Sequence, residues 1–283
     1  MIYEKRAVYV DETFKTDEKL RKLQLIEVGI LDEFVRICEK YKLTYYLDSG
    51  TLIGAVRHRG FIPWDDDIDV TMPRQDYTKF CEVVAKELNP TYIFQSLQTD
   101  VNFPYPFSRM QKRNTVYANK LLLSMNLKSY GIWLDIFPLD KVKNTKFPVF
   151  FLQDFLRWIA RCSWHYSSAK NCVGLPFGQR MRYLFAHCLP RRLWICLTNF
   201  LLLMDSDQTT EYVISGTVGD FGYGRKTLAP ASWYGEPVKL EFEGKMYNAP
   251  REWDSVLKKQ YGNYMQIPPI EKRRMHTPDV WEM

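Results

Sequence analysis

Apolar residues recur every three or four positions early in the chain: Leu20, Leu23, Ile26, Ile30, Phe34 and Ile37, with charges between them. That is the helical period, and it predicts one amphipathic helix over 17–42. Thr44-Tyr45-Tyr46-Leu47 predicts a short strand, which Ser49-Gly50-Thr51 breaks into a turn before a short helix over 51–58. Gly60, Pro63 and Trp64 form a loop leading into Ile68-Asp69-Val70-Thr71, a strand of alternating character. Pro73 suits the start of a helix over 74–89, and Asn89-Pro90 closes it. Strands are predicted over 91–97, 105–111 and 114–118, with a further, largely buried one from Ile132 to Phe137.

From Phe147 to Met204 the pattern becomes helical, aromatic and basic, which predicts a helical lobe packed on the sheet or a surface that meets a membrane. Glycines at 216, 219, 222 and 224 mark a flexible loop. Two short strands at 238–242 and 245–248 are joined by Glu243-Gly244, and a helix near 251–261 precedes the tail. The chain divides into an extension (1–16), a core (17–146), a helical insertion (147–210) and a segment that packs back on the core (211–283). The fold class is α+β: a mixed sheet flanked by helices, with an added, mainly helical lobe.

The formal charge of +6 suits anionic partners such as phosphates, nucleotides or an acidic membrane face. Lys and Arg are spread along the chain, so there is no nucleic-acid signature. Six cysteines without a CxxC pair read as reduced thiols in a cytoplasmic protein. Zinc held by Cys162, His165, Cys172, His187 and Cys188 is a weaker alternative, because the spacings fit no compact pattern. Residues 1–20 lack the apolar core of a signal peptide. The longest apolar stretch, Leu193–Met204, has 12 residues where a membrane span needs roughly 20. The expectation is a protein that is soluble, or peripheral on the inner face of a membrane.

The chemistry is concentrated between Tyr46 and Tyr77. Asp65, Asp67 and Asp69 alternate, so in an extended chain they project to one side and repel. Such a row calls for a cation, and all-oxygen ligands suit Mg²⁺, with Mn²⁺ the alternative, bound together with substrate phosphates. The Gly50-Thr51 turn upstream lies at a strand-to-helix junction, where backbone N–H groups can approach phosphate oxygens.

Gly-Thr, then Asp67-Ile68-Asp69-Val70, then a later strand bearing Asp135, resembles the DNA polymerase β-type nucleotidyltransferase core. More closely, SGTLIGAVRHRGFIPWDDDIDV, GIWLDIFPLD (131–140) and FEG…YGNYM…H (242–276) resemble the LicD family of phosphocholine transferases, whose core the fukutin-related proteins share. The resemblance implies Mg²⁺-dependent transfer of phosphocholine, or a similar phospho-alcohol, from a CDP-activated donor. The acceptor it implies is a hydroxyl of a glycan or lipid-linked glycan, such as lipopolysaccharide or teichoic acid, and CMP leaves. It matches Asp67 and Asp69 to the metal-binding pair, Asp135 to a third carboxylate that shares the metal and accepts the acceptor's proton, and Gly50 and Thr51 to a phosphate-cradling turn. Asp65 completes the alternating acidic run, as a ligand of a second metal or a group behind the ligands; Arg109 falls where relatives tend to carry a basic residue, and His276 matches a histidine of the closing segment. Arg57 is read as a phosphate clamp or a structural ion pair, and Trp64 as a stacking platform or loop packing. Glu241 and Glu243 belong to a structural hairpin or to a cage for a cationic group. Two rival functions remain: a nucleotidyltransferase releasing pyrophosphate, and a non-catalytic binding protein.

Overall fold

The computed structural model describes residues 17–143, 146, 148–203, 210–215, 223–273, 275, 276 and 278–283. The extension 1–16 and the glycines at 216, 219 and 222 lie outside them. Helix α1 (Glu18–Tyr41) begins where the Asp17 carboxylate accepts the Leu20 N–H at 2.7 Å and ends at Lys42, whose φ of 53° is left-handed. Its inner stripe, from Leu23 through Ile30 and Phe34 to Ile37, is fully buried. Strand β1 (Tyr46–Leu47), helix α2 (Ser49–His58), strand β2 (Ile68–Pro73) and helix α3 (Arg74–Glu87) follow in the order the periodicity predicts. Next come β3 (Tyr92–Gln95), β4 (Ser108–Lys112), β5 (Val116–Ala118), the single turn α4 (Lys120–Leu123) and β6 (Trp133–Lys141).

The central sheet has the order β1-β2-β6-β4-β3. Only β2 and β6 run parallel within it, which makes the sheet mixed. The core lies where α1 packs on β4 and β6, and joins Phe34, Phe80, Met110, Leu134, Ile68 and Val70 in one apolar cluster. Phe34 meets Tyr45 and Phe80 at ring separations of 5.3 and 5.0 Å.

Helices α5 (Val149–Ser167), α6 (Phe177–Ala186) and α7 (Arg191–Leu203) form the helical lobe. The chain then returns to the sheet. Strand β7 (Tyr212–Ser215) pairs with the far half of β6, the short helix α8 (Tyr223–Thr227) holds Gly224, and β8 (Ala229–Pro230) pairs with β7. The hairpin β9 (Val238–Phe242) and β10 (Lys245–Ala249) turns through Glu243 and Gly244, both at positive φ. Helix α9 (Trp253–Tyr261) follows, and β11 (Val280–Glu282) pairs with β5. Strands β7, β8 and β11 are too short to show a period, and their partners are distant in sequence.

Phe34→Ala should cost about 3–5 kcal/mol of stability, read as a shift in denaturant midpoint. A loss under about 1 kcal/mol would mean that α1 is not part of the cooperative core.

Candidate active site

Alternation along β2 and the residues before it sorts carboxylates from core. Asp66, Ile68 and Val70 are buried, whereas Asp65, Asp67 and Asp69 each stay partly open. Parallel pairing sets Asp69 level with Asp135 on β6, and antiparallel pairing sets Asp135 level with Arg109 on β4. Register therefore sets Asp69, Asp135 and Arg109 side by side, with Asp65 and Asp67 on the approach to β2.

The strand-to-helix turn supports this row. Ser49 holds a left-handed φ of 48°, a strained geometry for a residue with a Cβ, and the Asp48 carboxylate accepts its N–H at 2.8 Å. The Asp48 N–H donates to the Asp69 carbonyl at 3.0 Å, and the Asp69 N–H donates to Thr51 Oγ1 at 2.9 Å. A Cβ on Gly50 would stand 2.6 Å from Asp65 Oδ2. In this structure the Gly50-Thr51 turn thus positions Asp65 and Asp69.

Asp135 and Arg109 form a buried, two-pronged ion pair at 2.5 and 3.1 Å. The guanidinium lies 4.4 Å from the Trp133 ring centre and 4.6 Å from that of Tyr105. On the other side of the acidic row, Asp66 accepts a short hydrogen bond from the Tyr117 hydroxyl. It also accepts the His276 N–H at 3.1 Å and approaches His276 Nδ1 at 3.2 Å. Asp67 lies 3.8 Å from the same nitrogen. Arg109, Tyr105, Trp133, Tyr117, Met275 and His276 line a cleft of about 320 Å³.

Electrostatics at this point are unfavourable without a cation. Burial and neighbouring carboxylates push Asp65 and Asp69 well above the ordinary carboxylate range. Asp67 is pushed up to about 6, mainly by burial, with His276 pulling the other way. At His276 burial opposes the charge, but the ring is 57% exposed and Asp66 and Asp67 prevail, raising it to about 9. Glu27 on α1 completes the picture. It is 1% exposed, its Oε2 has no hydrogen-bond partner among the described residues, and burial followed by Asp67, Asp66, Asp65 and Asp69 raises it strongly. Gln24, one turn earlier on α1, donates to the Asp65 carbonyl at 3.0 Å, so this face of the helix lies against the acidic segment. Crowded, partly buried oxygen donors with an orphaned carboxylate beside them fit a hard divalent ion. Among the described residues, the group whose ligating atoms lie within 4.8 Å of one another is Asp66, Asp67 and His276.

The family model described as "LicD/FKTN/FKRP, nucleotidyltransferase domain" matches residues 42–181. The lipopolysaccharide cholinephosphotransferase LicD of Haemophilus influenzae is 31% identical over 262 residues, covering 91% of this chain and 95% of that protein. The chain belongs to the LicD family. A more distant relative, an uncharacterised protein of Rickettsia prowazekii, is 26% identical over 145 residues, which is 47% of this chain and 52% of its own.

Within this LicD-family fold the remaining candidates sit apart from the cleft. Arg57 is buried and donates to the Tyr264 carbonyl at 2.8 Å, joining α2 to the segment after α9. Trp64 belongs to the core, with the Arg273 guanidinium 4.2 Å from its ring centre. Glu243 ties its hairpin to α1 and the 60s loop through Arg21 at 2.6 Å and the Phe61 N–H at 3.1 Å. Glu241 pairs with Arg59 at 3.7 Å. Asp66, Tyr117, Tyr105, Trp133 and Glu27 join the site without having been singled out by any sequence motif. Glu27 alone left a trace: it stands between Leu23 and Ile30 on the apolar stripe of α1, where a charge is out of place.

Gly50→Ala should leave the fold within about 1 kcal/mol of wild type, since the Asp65 carboxylate is the flexible end of a side chain and can swing away. Displacing that carboxylate should weaken divalent-ion binding, measured by calorimetry; unchanged ion affinity would remove Asp65 from the ion site. Because folding raises the Glu27 pKa, the folded protein holds a proton that the unfolded chain releases, and stability falls as pH rises above the ordinary Glu value. In chelator, Glu27→Gln should therefore melt higher than wild type, by a margin that grows between about pH 5 and pH 8. A margin independent of pH would show that Glu27 is not protonated on folding.

Proposed function

We propose that this protein transfers phosphocholine, or a related phospho-alcohol, from a CDP-activated donor to a hydroxyl of lipopolysaccharide or another cell-surface glycan, with CMP as the leaving product. The observation that carries this reading is the row Asp65, Asp67 and Asp69, in which Asp69 stands level with Asp135, whose partner Arg109 lines an aromatic cleft. The cholinephosphotransferase activity of the Haemophilus relative suggests the class of group transferred. The polymerase β-type core expected from the motif order suits this reading, since β2 and β6 run parallel and bring the acidic residues level.

In this reading Asp65, Asp67 and Asp69 hold Mg²⁺, with Asp66 and Glu27 adding negative charge behind them. When bound, the ion neutralises charge on the donor diphosphate and polarises its phosphoryl oxygens. The chain's own groups do the rest. Arg109 is fixed by Asp135 and by the rings of Trp133 and Tyr105, so it meets a phosphate oxygen with little reorganisation. Both Asp135 oxygens accept from that guanidinium, and Asp135 serves as its anchor. His276 presents a second cation, and Tyr105 and Trp133 offer faces for a base or a quaternary ammonium. The acceptor oxygen forms a bond to the distal phosphorus as the phosphorus–oxygen bond to CMP breaks. The acceptor proton passes to the Asp67 carboxylate, the base in this reading.

CMP release from CDP-choline with Mg²⁺ and a glycan acceptor tests the reading. Wild type should release CMP, and Asp67→Ala should be slower by at least about 100-fold. Arg109→Lys should also lose at least about 10-fold, because an ammonium cannot keep the two-pronged pair with Asp135. Pyrophosphate in place of CMP would assign nucleotidyl transfer. Release that survives in Asp67→Ala would sink the assignment of the acidic row.

A further inference from the structure

The helical lobe buries several polar side chains and exposes many apolar ones. On α5 the buried positions include Gln153, Asp154, Arg157 and Ser163, while Phe151, Leu152, Phe155 and Leu156 face outward at 36–57% exposure. On α7 Thr198 is fully buried and Leu193 and Phe200 are 52% and 61% exposed. On α6 Phe177 is 81% exposed, and Met181, Leu184 and Phe185 are each at least half exposed. An apolar groove of about 320 Å³ between α5 and α6 is walled by Trp158, Ile159, Met181 and Phe185. So much outward apolar surface marks a face that meets something other than water.

Charge names the occupant. From Phe147 to Met204 there are seven Lys and Arg and one acid, the buried Asp154, so this stretch carries the whole formal charge of +6 and the other residues balance. The exposed cations Lys170, Arg180, Arg182 and Arg192 lie on the same segments as the exposed apolar residues. No helix among the described residues is long and apolar enough to cross a membrane. Outward apolar side chains interleaved with cations, on helices too short to span, match the surface of an anionic bilayer. We propose that α5, α6 and α7 form a face that lies on an anionic phospholipid membrane, with the apolar residues in the headgroup region and the cations on lipid phosphates.

The lobe is also fixed to the cleft. The Trp164 indole and the Arg191 guanidinium both donate to the Phe103 carbonyl, at 3.2 and 2.8 Å, and the His165 ring lies 5.3 Å from that of Tyr105 in the cleft wall. Docking would thus set the cleft at a defined place against the membrane, where a lipid-carried acceptor is found. That last step rests on the proposed transfer reaction; the docking does not, and a binding assay separates the two.

The full chain would be floated with vesicles of phosphatidylcholine alone and of phosphatidylcholine with about one-third phosphatidylglycerol. Binding to the anionic vesicles should be at least about tenfold tighter, and should be lost near 1 M salt. The pair Arg180→Ala and Arg192→Ala should weaken it about tenfold or more, and Leu193→Ser with Phe200→Ser should weaken it with far-ultraviolet dichroism unchanged. Wild type gives an independent readout: Cys188 and Cys196 are exposed, and anionic vesicles should slow their reaction with a maleimide. Equal binding to both vesicles, or none, would overturn the proposal. A concentration-dependent dimer that Leu193→Ser and Phe200→Ser abolish, without vesicle binding, would assign the face to a second copy of the chain.

Discussion

Mutual repulsion among carboxylates is the constraint around which the centre of this protein is built. Asp65, Asp67 and Asp69 line one side of a strand and its approach, Asp135 stands level with Asp69, and Asp66 and Glu27 lie behind them. Such a cluster persists only where the backbone leaves its members no alternative and where charge is compensated. The backbone part is met by β2 held between β1 and β6, by Thr51 accepting the Asp69 N–H and by the bare Cα of Gly50 against Asp65. The charge part is met by Arg109 on Asp135 and by Tyr117 and His276 on Asp66. The residual negative charge suits a divalent cation.

Compensation draws on parts of the chain far apart in sequence. Arg109 sits among Trp133, Tyr105 and Phe107, which shield its pair with Asp135 from water and hold the guanidinium among aromatic rings. His276 reaches Asp66 because β11 adds to β5 beyond it, and because the Asp279 carboxylate accepts the Lys120 N–H at 2.7 Å. The end of the chain is therefore part of the wall of the cleft, and its pairing with β5 holds the histidine at the acidic row.

The helical lobe obeys a different rule from the core. Around α1 and the sheet, apolar stripes face inward and charges face out. In α5 and α7 several side chains turn polar groups inward: Arg157 donates to the Leu201 carbonyl, Trp194 to the Ala186 carbonyl and Thr198 to the Trp194 carbonyl. A lobe that turns several polar groups inward and leaves Phe and Leu outside is organised for an apolar or interfacial environment. Its attachment through Phe103 and Tyr105 links that environment to the cleft.

Much of the core was legible in the sequence because its signals are local. The period of α1, the alternation of Asp65, Asp67 and Asp69 against Ile68 and Val70, the Gly50-Thr51 junction and the Glu243-Gly244 hairpin each lie within a few residues, and each predicted element has its counterpart within a few residues of the predicted limits. The motif resemblance reached further and led to the family. What it could not supply is partnership. Arg109 is joined to Asp135 by strand register, Tyr117 and His276 converge on Asp66 across much of the chain, and Trp64 is taken into the core beneath Arg273. Even Glu27, visible as a misplaced charge, acquired meaning only when α1 packed against the acidic segment. The sequence by itself determined which elements form and which carboxylates share a side, since propensity and period act over a few residues. Tertiary structure alone decided which charges are neutralised, which rings line the cleft and which helices turn their apolar side outward, because burial and pairing depend on contacts between residues that the chain brings together only when folded.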